Sequence, residues 1–302
     1  MSSVGRRDWG AVLSFVPCSV CSSLIDFVRL VDGDRRCSSS ISSMQHVVPR
    51  PSSMTTFRAI GFCGVDDSVD PNFVALVAHT FPLVEFGVLF RPDVEGTPRY
   101  ASMDWVQRFC ALHPPKLAAH LCGSRVNEVL YGDDTFLRQL PPSFQRVQIN
   151  ATAVNGVDTS RLSESAPLLR GLILEFPQLE FILQKNEETQ PLWQGLLDLG
   201  LPPNVTMLMD ESKGTGVLLS QWPNPPEEYD IGYAGGIGPG NIRSVLQNVQ
   251  TAGNGRAVWI DMESSLRSQK NGKDVFDLDK CYEVIEATCD AGIMTRPSYS
   301  PT

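Results

Sequence analysis

The chain has 302 residues and a formal net charge of −9, with 25 basic and 34 acidic side chains. Hydrophobic residues make up 42% of it, enough for the core of one large domain or two ordinary ones. The basic side chains are scattered rather than clustered in a stripe, which argues against a nucleic-acid partner. The apolar run near the N-terminus is too short and too polar to span a bilayer, so we expect no membrane partner.

Residues 1–54 differ in composition from the rest of the chain. They include the Ser-rich run Cys37–Ser43 and close with the Pro-containing run Val48–Ser53. This composition favours a disordered extension, or a region upstream of a later start. Arg6-Arg7 before an apolar run leaves organelle targeting open, and a folded segment is a third alternative. We assign the folded domain to residues 55–295 and a tail to residues 296–302.

The cysteines indicate a reducing compartment. Four of the five that follow the N-terminal segment lie in apolar strand-like or helix-like runs, as buried free thiols do. Their spacing is not that of a small secreted disulfide scaffold. We expect a cytoplasmic protein, with organelle targeting through residues 1–54 as the alternative.

From Phe57 onward, apolar β-rich runs alternate with helical patterns. The strands are continuous apolar runs, as expected for parallel strands that are covered on both faces. Eight such strands with helices between them predict a (β/α)₈ TIM barrel, and a doubly wound open sheet is the alternative. The predicted strands are Arg58–Cys63, Val84–Phe90, Leu117–Cys122, Arg146–Ala151, Glu180–Gln184, Val205–Asp210, Asp230–Ala234 and Val258–Met262. The predicted helices are Asn72–Thr80, Met103–Leu112, Val126–Leu130, Ser160–Leu172, Thr189–Leu197, Leu218–Trp222, Ile242–Thr251 and Leu278–Ala291.

The seventh predicted strand runs into a glycine-rich loop, Gly235–Gly240. Asn241 follows as a good N-cap for the next helix. Glycines at a strand end let the backbone approach a ligand, and free N–H groups at a helix N-terminus favour an anion. The loop therefore indicates a phosphate site late in the barrel. The alternative is a plain strand-to-helix turn that requires positive φ.

Reactive groups of a barrel lie where the strands end. Cys63 ends the first predicted strand and Asp210 the sixth, and a thiol and a carboxylate can act as base and acid across a small substrate. The alternatives are a small buried apolar residue for Cys63 and a helix N-cap for Asp210. His120, on the third strand, is read as a core or mouth histidine. No His-x-Glu or Glu-x-x-His pattern stands out, so we expect no metal and no other cofactor.

Short segments in order along the chain share a further pattern. They are Gly61-Phe62-Cys63-Gly64-Val65, Phe86–Phe90 with Thr97-Pro98-Arg99, Val147–Asn150, Leu208–Ser212, Lys213-Gly214-Thr215-Gly216, Ala234–Ile237 with Asn241-Ile242, Asp261–Ser265 and Gly272-Lys273-Asp274. With these segments, the chain from about Ile60 to Leu278 resembles phosphoribosylanthranilate isomerase, the barrel enzyme of tryptophan synthesis. No single segment is decisive, and the order of all eight carries the resemblance.

The resemblance implies a barrel of the ribulose-phosphate-binding type that rearranges N-(5-phosphoribosyl)anthranilate. Cys63 would be the general base and Asp210 the general acid. Arg99 would hold the anthranilate carboxylate, with Gln148 and Asn150 also at the substrate. The implied phosphate site consists of Gly214, Gly216, Gly235, Gly236, Asp261, Ser264 and Ser265. The expected partner is a small phosphorylated metabolite, and the expected assembly is a monomer or homodimer.

Departures from the family pattern cluster at this site. Gly61 replaces a lysine whose charge would favour a thiolate at Cys63. The segment between Asp210 and Gly214 is several residues shorter than is usual for the family. Glu263 replaces a serine and Ser265 a glycine in the phosphate site, and Glu263 would repel phosphate unless Lys213 or Arg267 neutralised it. Three hypotheses stay open: this isomerase, an enzyme acting on another small phosphorylated metabolite, and a non-catalytic binding barrel.

Overall fold

The computed structural model describes residues 54–211 and 218–297. Eight parallel strands, β1 to β8, are hydrogen-bonded in sequence order and close into a ring by pairing β8 with β1. The TIM-barrel prediction is therefore confirmed and the open sheet is wrong. The predictions of disorder or targeting for the N-terminal segment fall on residues 1–53, outside the described residues. The strands are β1 (Thr56–Cys63), β2 (Val84–Phe90), β3 (Leu117–Leu121), β4 (Phe144–Ile149), β5 (Glu180–Lys185), β6 (Val205–Met209), β7 (Ile231–Tyr233) and β8 (Ala257–Met262).

Eight α-helices occur in the described ranges, and two of the differences from the sequence prediction have clear causes. Helix α4, which was not predicted, has five residues, too few for a 3.6-residue period to show. The predicted helix Leu218–Trp222 is wrong, because these residues are irregular and Pro223, Pro225 and Pro226 follow at once. The helices are α1 (Pro71–Thr80), α2 (Met103–Cys110), α3 (Ser124–Leu130), α4 (Thr135–Gln139), α5 (Leu162–Glu175), α6 (Gln190–Asp198), α7 (Ile242–Ala252) and α8 (Leu278–Asp290). None of them is long and apolar enough to cross a membrane.

A two-stranded hairpin, β9 (Arg267–Lys270) and β10 (Lys273–Phe276), lies between β8 and α8. Its turn is Asn271-Gly272, and both residues have positive φ (54° and 74°), as a type I′ turn requires. The Asn-Gly pair is a strong hairpin signal, so this element was readable from the sequence.

The N-terminal end of the barrel interior contains a cluster of charged side chains. Arg146 Nη1 lies 2.6 Å from Glu85 Oε1, and Arg146 Nη2 lies 3.0 Å from Glu180 Oε1. The Trp259 ring lies 4.5 Å from the guanidinium carbon of Arg146 and, separately, 4.5 Å from that of Arg58. This ionic layer forms the floor under the candidate site.

Candidate active site

A cavity of about 290 Å³ opens at the C-terminal ends of the strands. Its walls are mixed polar and apolar, and they come from β3 to β6, from β8 and from the segments that follow β4, β6, β7 and β8. Of the side chains named in the sequence analysis, His120, Gln148, Asn150, Asp210, Asp261, Glu263, Ser264 and Ser265 line it. Side chains alternate between the two faces of a strand, so residues two positions apart, such as Gln148 and Asn150, both point into the barrel interior.

Cys63 lies at the edge of this cavity, behind His120. Its Sγ is 3.0 Å from His120 Nδ1, and the thiol is only 1% exposed. On its other side Cys63 packs with Leu89 and Cys122, and Tyr100 covers this cluster. Among the described residues, His120 lines the cavity and Cys63 does not. The sequence predicted Cys63 as a site residue but not this contact.

Burial sets the protonation states of this pair. It raises the pKa of the Cys63 thiol well above its usual value, and the nearby carboxyl groups of Asp261 and Glu263 raise it further. Burial also lowers the pKa of His120 to about 3, with a smaller contribution from Arg146. At neutral pH the resting pair is therefore a thiol and a neutral imidazole.

Asp261, which the resemblance places in the phosphate site, lies within β8, whereas Ser264 and Ser265 lie in the loop after it. Asp261 is level with Gly61 in the β1–β8 register, and a Cβ on Gly61 would fall 2.3 Å from Asp261 Oδ1. Burial, Glu85 and Glu263 raise the pKa of Asp261 well above its usual value, and Arg146 opposes them. The carboxyl group thus occupies the space in which a lysine side chain at position 61 would begin.

Asp210 directly follows β6 and is 6% exposed. Its Oδ2 accepts a hydrogen bond from Gln184 Nε2 at 3.1 Å, and its backbone oxygen accepts one from Asn186 Nδ2 at 3.3 Å. Gln184 Oε1 is buried and has no hydrogen-bond partner among the described residues. A ligand that donates a hydrogen bond beside Asp210 would satisfy it.

Gln148 and Asn150, predicted at the substrate, lie side by side in the cavity wall. Gln148 Nε2 donates to Asn150 Oδ1 at 2.8 Å. Asn150 Nδ2 in turn donates to Cys122 Sγ at 3.4 Å. The amides are held by each other and by the thiol cluster, so the wall that they present to a ligand is pre-ordered.

The glycine loop after β7 is folded as a close-approach loop. Gly235 and Gly236 have φ values of 89° and 63°, which are open to glycine at little cost. Asn241 occupies the N-cap position of α7, but its side chain makes no capping bond to the helix. It instead accepts from Gly238 N–H at 2.9 Å and donates to the Gly236 oxygen at 2.8 Å. The N–H groups of Gly235 and Gly236 have no acceptor among the described residues, so they are available to an anion.

The loop after β8 completes this rim. Ser264–Leu266 forms a short 3₁₀-helix, and Ser265 Oγ donates to the Ile237 oxygen at 2.5 Å. A Cβ at Gly238 would lie 2.4 Å from Ser265 Cβ, so the serine fits only because its neighbour is glycine. Gly214 and Gly216, also predicted at the phosphate, lie outside the described residues.

Arg99 is engaged with acidic side chains. Its Nη1 lies 2.9 Å from Glu263 Oε1 and donates to Ser264 Oγ at 2.9 Å, and its Nε lies 3.7 Å from Asp274. Its φ of 81° is unusual for a residue with a side chain, and its N–H donates to Asp66 Oδ2. Arg99 therefore lies at the cavity rim, where it neutralises Glu263.

Arg267 does not pair with Glu263, contrary to one of the alternatives raised by the sequence. It is 3% exposed, and its guanidinium lies 2.7 Å from Asp66 Oδ2 and 3.0 Å from Asp274 Oδ1. It also donates to the Gly64 oxygen at 2.8 Å. Lys213, the other alternative, lies outside the described residues.

Cys63, His120 and Asp261 are the one group among the described residues whose ligand atoms are close enough to hold a metal ion, all within 4.8 Å of one another. The 3.0 Å between Cys63 Sγ and His120 Nδ1 is, however, a hydrogen-bond distance. Sulfur and nitrogen ligands of a tetrahedral zinc ion are about 3.5 Å apart. The geometry therefore favours a hydrogen-bonded pair over metal ligation.

No family model matches the chain, and no curated protein matches it. Similar solved structures include AP endonuclease, family 2 from Brucella melitensis, 15% identical over 69% of this chain and 93% of that one, with a TM-score of 0.41. KGPDC from Streptococcus mutans is 12% identical over 79% of this chain and 99% of that one, with a TM-score of 0.42. A xylose isomerase domain protein from Alicyclobacillus acidocaldarius subsp. acidocaldarius is 13% identical over 79% of this chain and 98% of that one, with a TM-score of 0.40. Similarities this weak indicate no function.

Proposed function

We propose that this barrel is an aldose–ketose isomerase of the phosphoribosylanthranilate isomerase type. One observation carries the proposal: the positions of the acid and the base around the ring. Strand β6 lies opposite β2 in the closed order of eight strands, so Asp210 faces the Cys63–His120 pair, which spans β1 and β3. An acid and a base on opposite walls of one cavity suit an isomerisation that protonates one atom and deprotonates another.

The proposed reaction begins at Asp210. Its carboxyl proton passes to the furanose ring oxygen, the bond between that oxygen and C1 breaks, and the nitrogen lone pair forms a C1=N bond. Gln184 holds the Asp210 carboxyl group in place, and its free Oε1 would accept a hydrogen bond from a substrate hydroxyl. The base on the opposite wall then takes the C2 proton. The resulting enol relaxes to the aminoketose.

The phosphate is proposed to lie against the loops after β7 and β8. The N–H groups of Gly235 and Gly236 would donate to it, as backbone donors do in phosphate sites. Glu263 in this rim would repel a dianion. Its ion pair with Arg99 at 2.9 Å offsets that repulsion, so the replacement of a serine by Glu263 is compatible with a phosphate here.

The test is a coupled fluorescence assay with freshly generated phosphoribosylanthranilate. Asp210→Asn is expected to lose on the order of 10²- to 10⁴-fold in turnover, the usual contribution of a general acid. Asp104→Asn, at an exposed position on α2, is the matched control and is expected to leave turnover unchanged. Wild-type protein that turns over no substrate would discard the proposal. Stabilisation by ribose 5-phosphate would then favour another phosphorylated substrate, and no stabilisation would favour a non-catalytic barrel.

A second candidate is an isomerase acting on a phosphosugar without an anthranilate group. The observation that favours it is the position of Arg99, which the resemblance assigns to the anthranilate carboxylate. Its guanidinium contacts Glu263, Ser264 and Asp274, and among the described residues it does not line the cavity. Under this candidate, anthranilate would add nothing to the affinity for ribose 5-phosphate.

A further inference from the structure

We propose that His120 is the proton acceptor of the Cys63 thiol, so that the two side chains act as one base. The inference rests on the proposed isomerase and deepens it, because it explains how Cys63 becomes a thiolate without the family's lysine. Nothing in the resemblance assigns a role to His120.

The first support is the contact. His120 Nδ1 lies 3.0 Å from Cys63 Sγ, a distance at which a thiol donates to an imidazole nitrogen. The apolar cluster around Cys63 consists of Leu89, Cys122 and Tyr100, none of which is a base at neutral pH. The Asp261 carboxyl group lies within 4.8 Å of the thiol. A thiol this deeply buried cannot pass its proton to bulk water, and His120 is the basic side chain in hydrogen-bond contact with it.

The second support is the space left by two strand glycines. A Cβ on Gly87 would lie 2.8 Å from His120 Nε2 and 3.1 Å from Cys63 Sγ. A Cβ on Gly61 would lie 2.3 Å from Asp261 Oδ1. Glycine weakens the interior of a strand. At both positions, however, the absence of a side chain leaves the space that Cys63, His120 and Asp261 occupy. Any larger residue at position 87 would displace the imidazole from the thiol.

The third support is the charge around the pair. A lone thiolate here would be buried near the acidic groups of Asp261 and Glu263 and near the Cys122 thiol. Transfer to His120 creates a thiolate and an imidazolium together, and a paired charge costs far less to bury than a single one. The Asp261 carboxyl group lies within 4.8 Å of both side chains, and because its own pKa is raised, its neutral form is favoured. Of the charged groups around the cluster, Arg146 lowers the pKa of His120 and so opposes the imidazolium. Glu85, Glu263 and Asp210 raise the pKa of Asp261, and Arg146 lowers it.

The S–H bond of Cys63 breaks, its proton moves to His120 Nδ1, and sulfur keeps the electron pair. The thiolate takes the C2 proton of the protonated imine, the C2–H pair forms the C1=C2 bond, and the C1=N pair returns to nitrogen. The pair now holds one extra proton, which it delivers to C1. The Asp210 carboxylate meanwhile accepts the proton of the C2 hydroxyl and regains its starting form.

The test compares wild type with His120→Gln, which can bond to the thiol but cannot take its proton. Iodoacetamide alkylation of Cys63 is followed across pH by mass spectrometry, with the half-buried Cys110 on α2 as an internal reference. We expect Cys63 to react about tenfold more slowly in the variant, since thiolate is the reactive form, with the Cys110 rate unchanged. An unchanged or faster Cys63 rate would overturn the inference.

A second variant separates the pair from general damage to the fold. Gly87→Ala keeps both side chains but displaces them, so the alkylation of Cys63 is expected to be slower, as in His120→Gln. Gly171→Ala, with nothing within 4 Å of the added Cβ, is its control. Turnover distinguishes the two proposals. If alkylation of Cys63 is slower in the variants but the wild-type protein turns over no substrate, the Cys63–His120 pair is retained and the isomerase is rejected. If His120→Gln turns over substrate with the pH profile of wild type, the isomerase is retained and the pair is rejected.

Discussion

Arg99 Nη1 and Glu263 Oε1 lie 2.9 Å apart at the rim of the cavity, although 164 residues separate them along the chain. The pair connects the loop after β2 to the loop after β8. It places a cation beside the one carboxylate that the resemblance did not lead us to expect in a phosphate site. The affinity for phosphate should therefore depend on both residues together.

Arg99→Ala is predicted to weaken the binding of inorganic phosphate about tenfold or more, because it leaves Glu263 unpaired next to the anion. Adding Glu263→Gln should restore most of the lost affinity for phosphate. The measurement is calorimetric titration of the single and double variants. Arg108→Ala, on the exposed face of α2, is the control. A double variant that binds as poorly as Arg99→Ala would show that the arginine contacts phosphate itself.

Asn241→Ala is predicted to weaken phosphate binding without a large loss of stability. Its side chain ties Gly236 to Gly238, and without it the glycine loop would lose the conformation that presents its N–H groups. Asn248→Ala, exposed on the same helix, should bind phosphate like wild type. Equal affinity in both variants would mean that the loop is held by its glycines and by Ser265 alone.

His120 predicts a specific pH dependence of stability. Its pKa is about 3 in the folded chain against about 6.5 when unfolded, so below about pH 6.5 the unfolded state binds a proton that the folded state does not. Stability should fall as pH falls from about 6.5 towards 3, by up to about 1.4 kcal/mol per pH unit. Denaturant unfolding of wild type and His120→Gln measures this, and the slope should be smaller in the variant.

Gly61→Ala is predicted to destabilise the barrel by about 1–3 kcal/mol, the usual cost of overpacking, because its Cβ would meet Asp261. Adding Asp261→Ala should recover part of the loss. Gly171→Ala, in the middle of α5, should instead be neutral or stabilising, since alanine favours a helix. Thermal unfolding of the three proteins checks the order.

Arg146→Met should be the most damaging of these changes. It leaves Glu85 in the barrel floor without its cation, whereas Glu180 keeps Arg58, and an unpaired buried charge costs about 3–5 kcal/mol. Denaturant unfolding gives the value. A loss below about 1 kcal/mol, the range of exposed pairs, would mean that water reaches the floor.

The barrel could be predicted from the sequence because its strands are continuous apolar runs. All seven residues of β2 and all five of β3 are buried, which leaves little ambiguity about their limits. The short helix α4 lacked a readable period, and the prolines after Trp222 overrode an apolar run that was interpreted as helix. Asn271-Gly272 is a strong hairpin signal in the sequence, and both residues adopt the positive φ that the turn requires.

The site was predictable only as far as strand ends determine it. Cys63 and Asp210 follow from their positions at the mouth. The contact between Cys63 and His120 could not be predicted, because it depends on the space that Gly87 leaves on the strand between them. The Arg99–Glu263 pair depends on two loops that meet only in the folded barrel.

Arg267 also has a consequence for how the chain folds. Through Gly64 and Asp66 it joins the first barrel strand to the hairpin that follows the last one, across about 200 residues of sequence. Contacts between residues this far apart in sequence lose much chain entropy before they contribute stabilising interactions. The ring is therefore expected to close late and slowly. Until β8 is in place, β1 has an unpaired edge, and a nascent chain that has not yet added β8 would expose that edge to other strands.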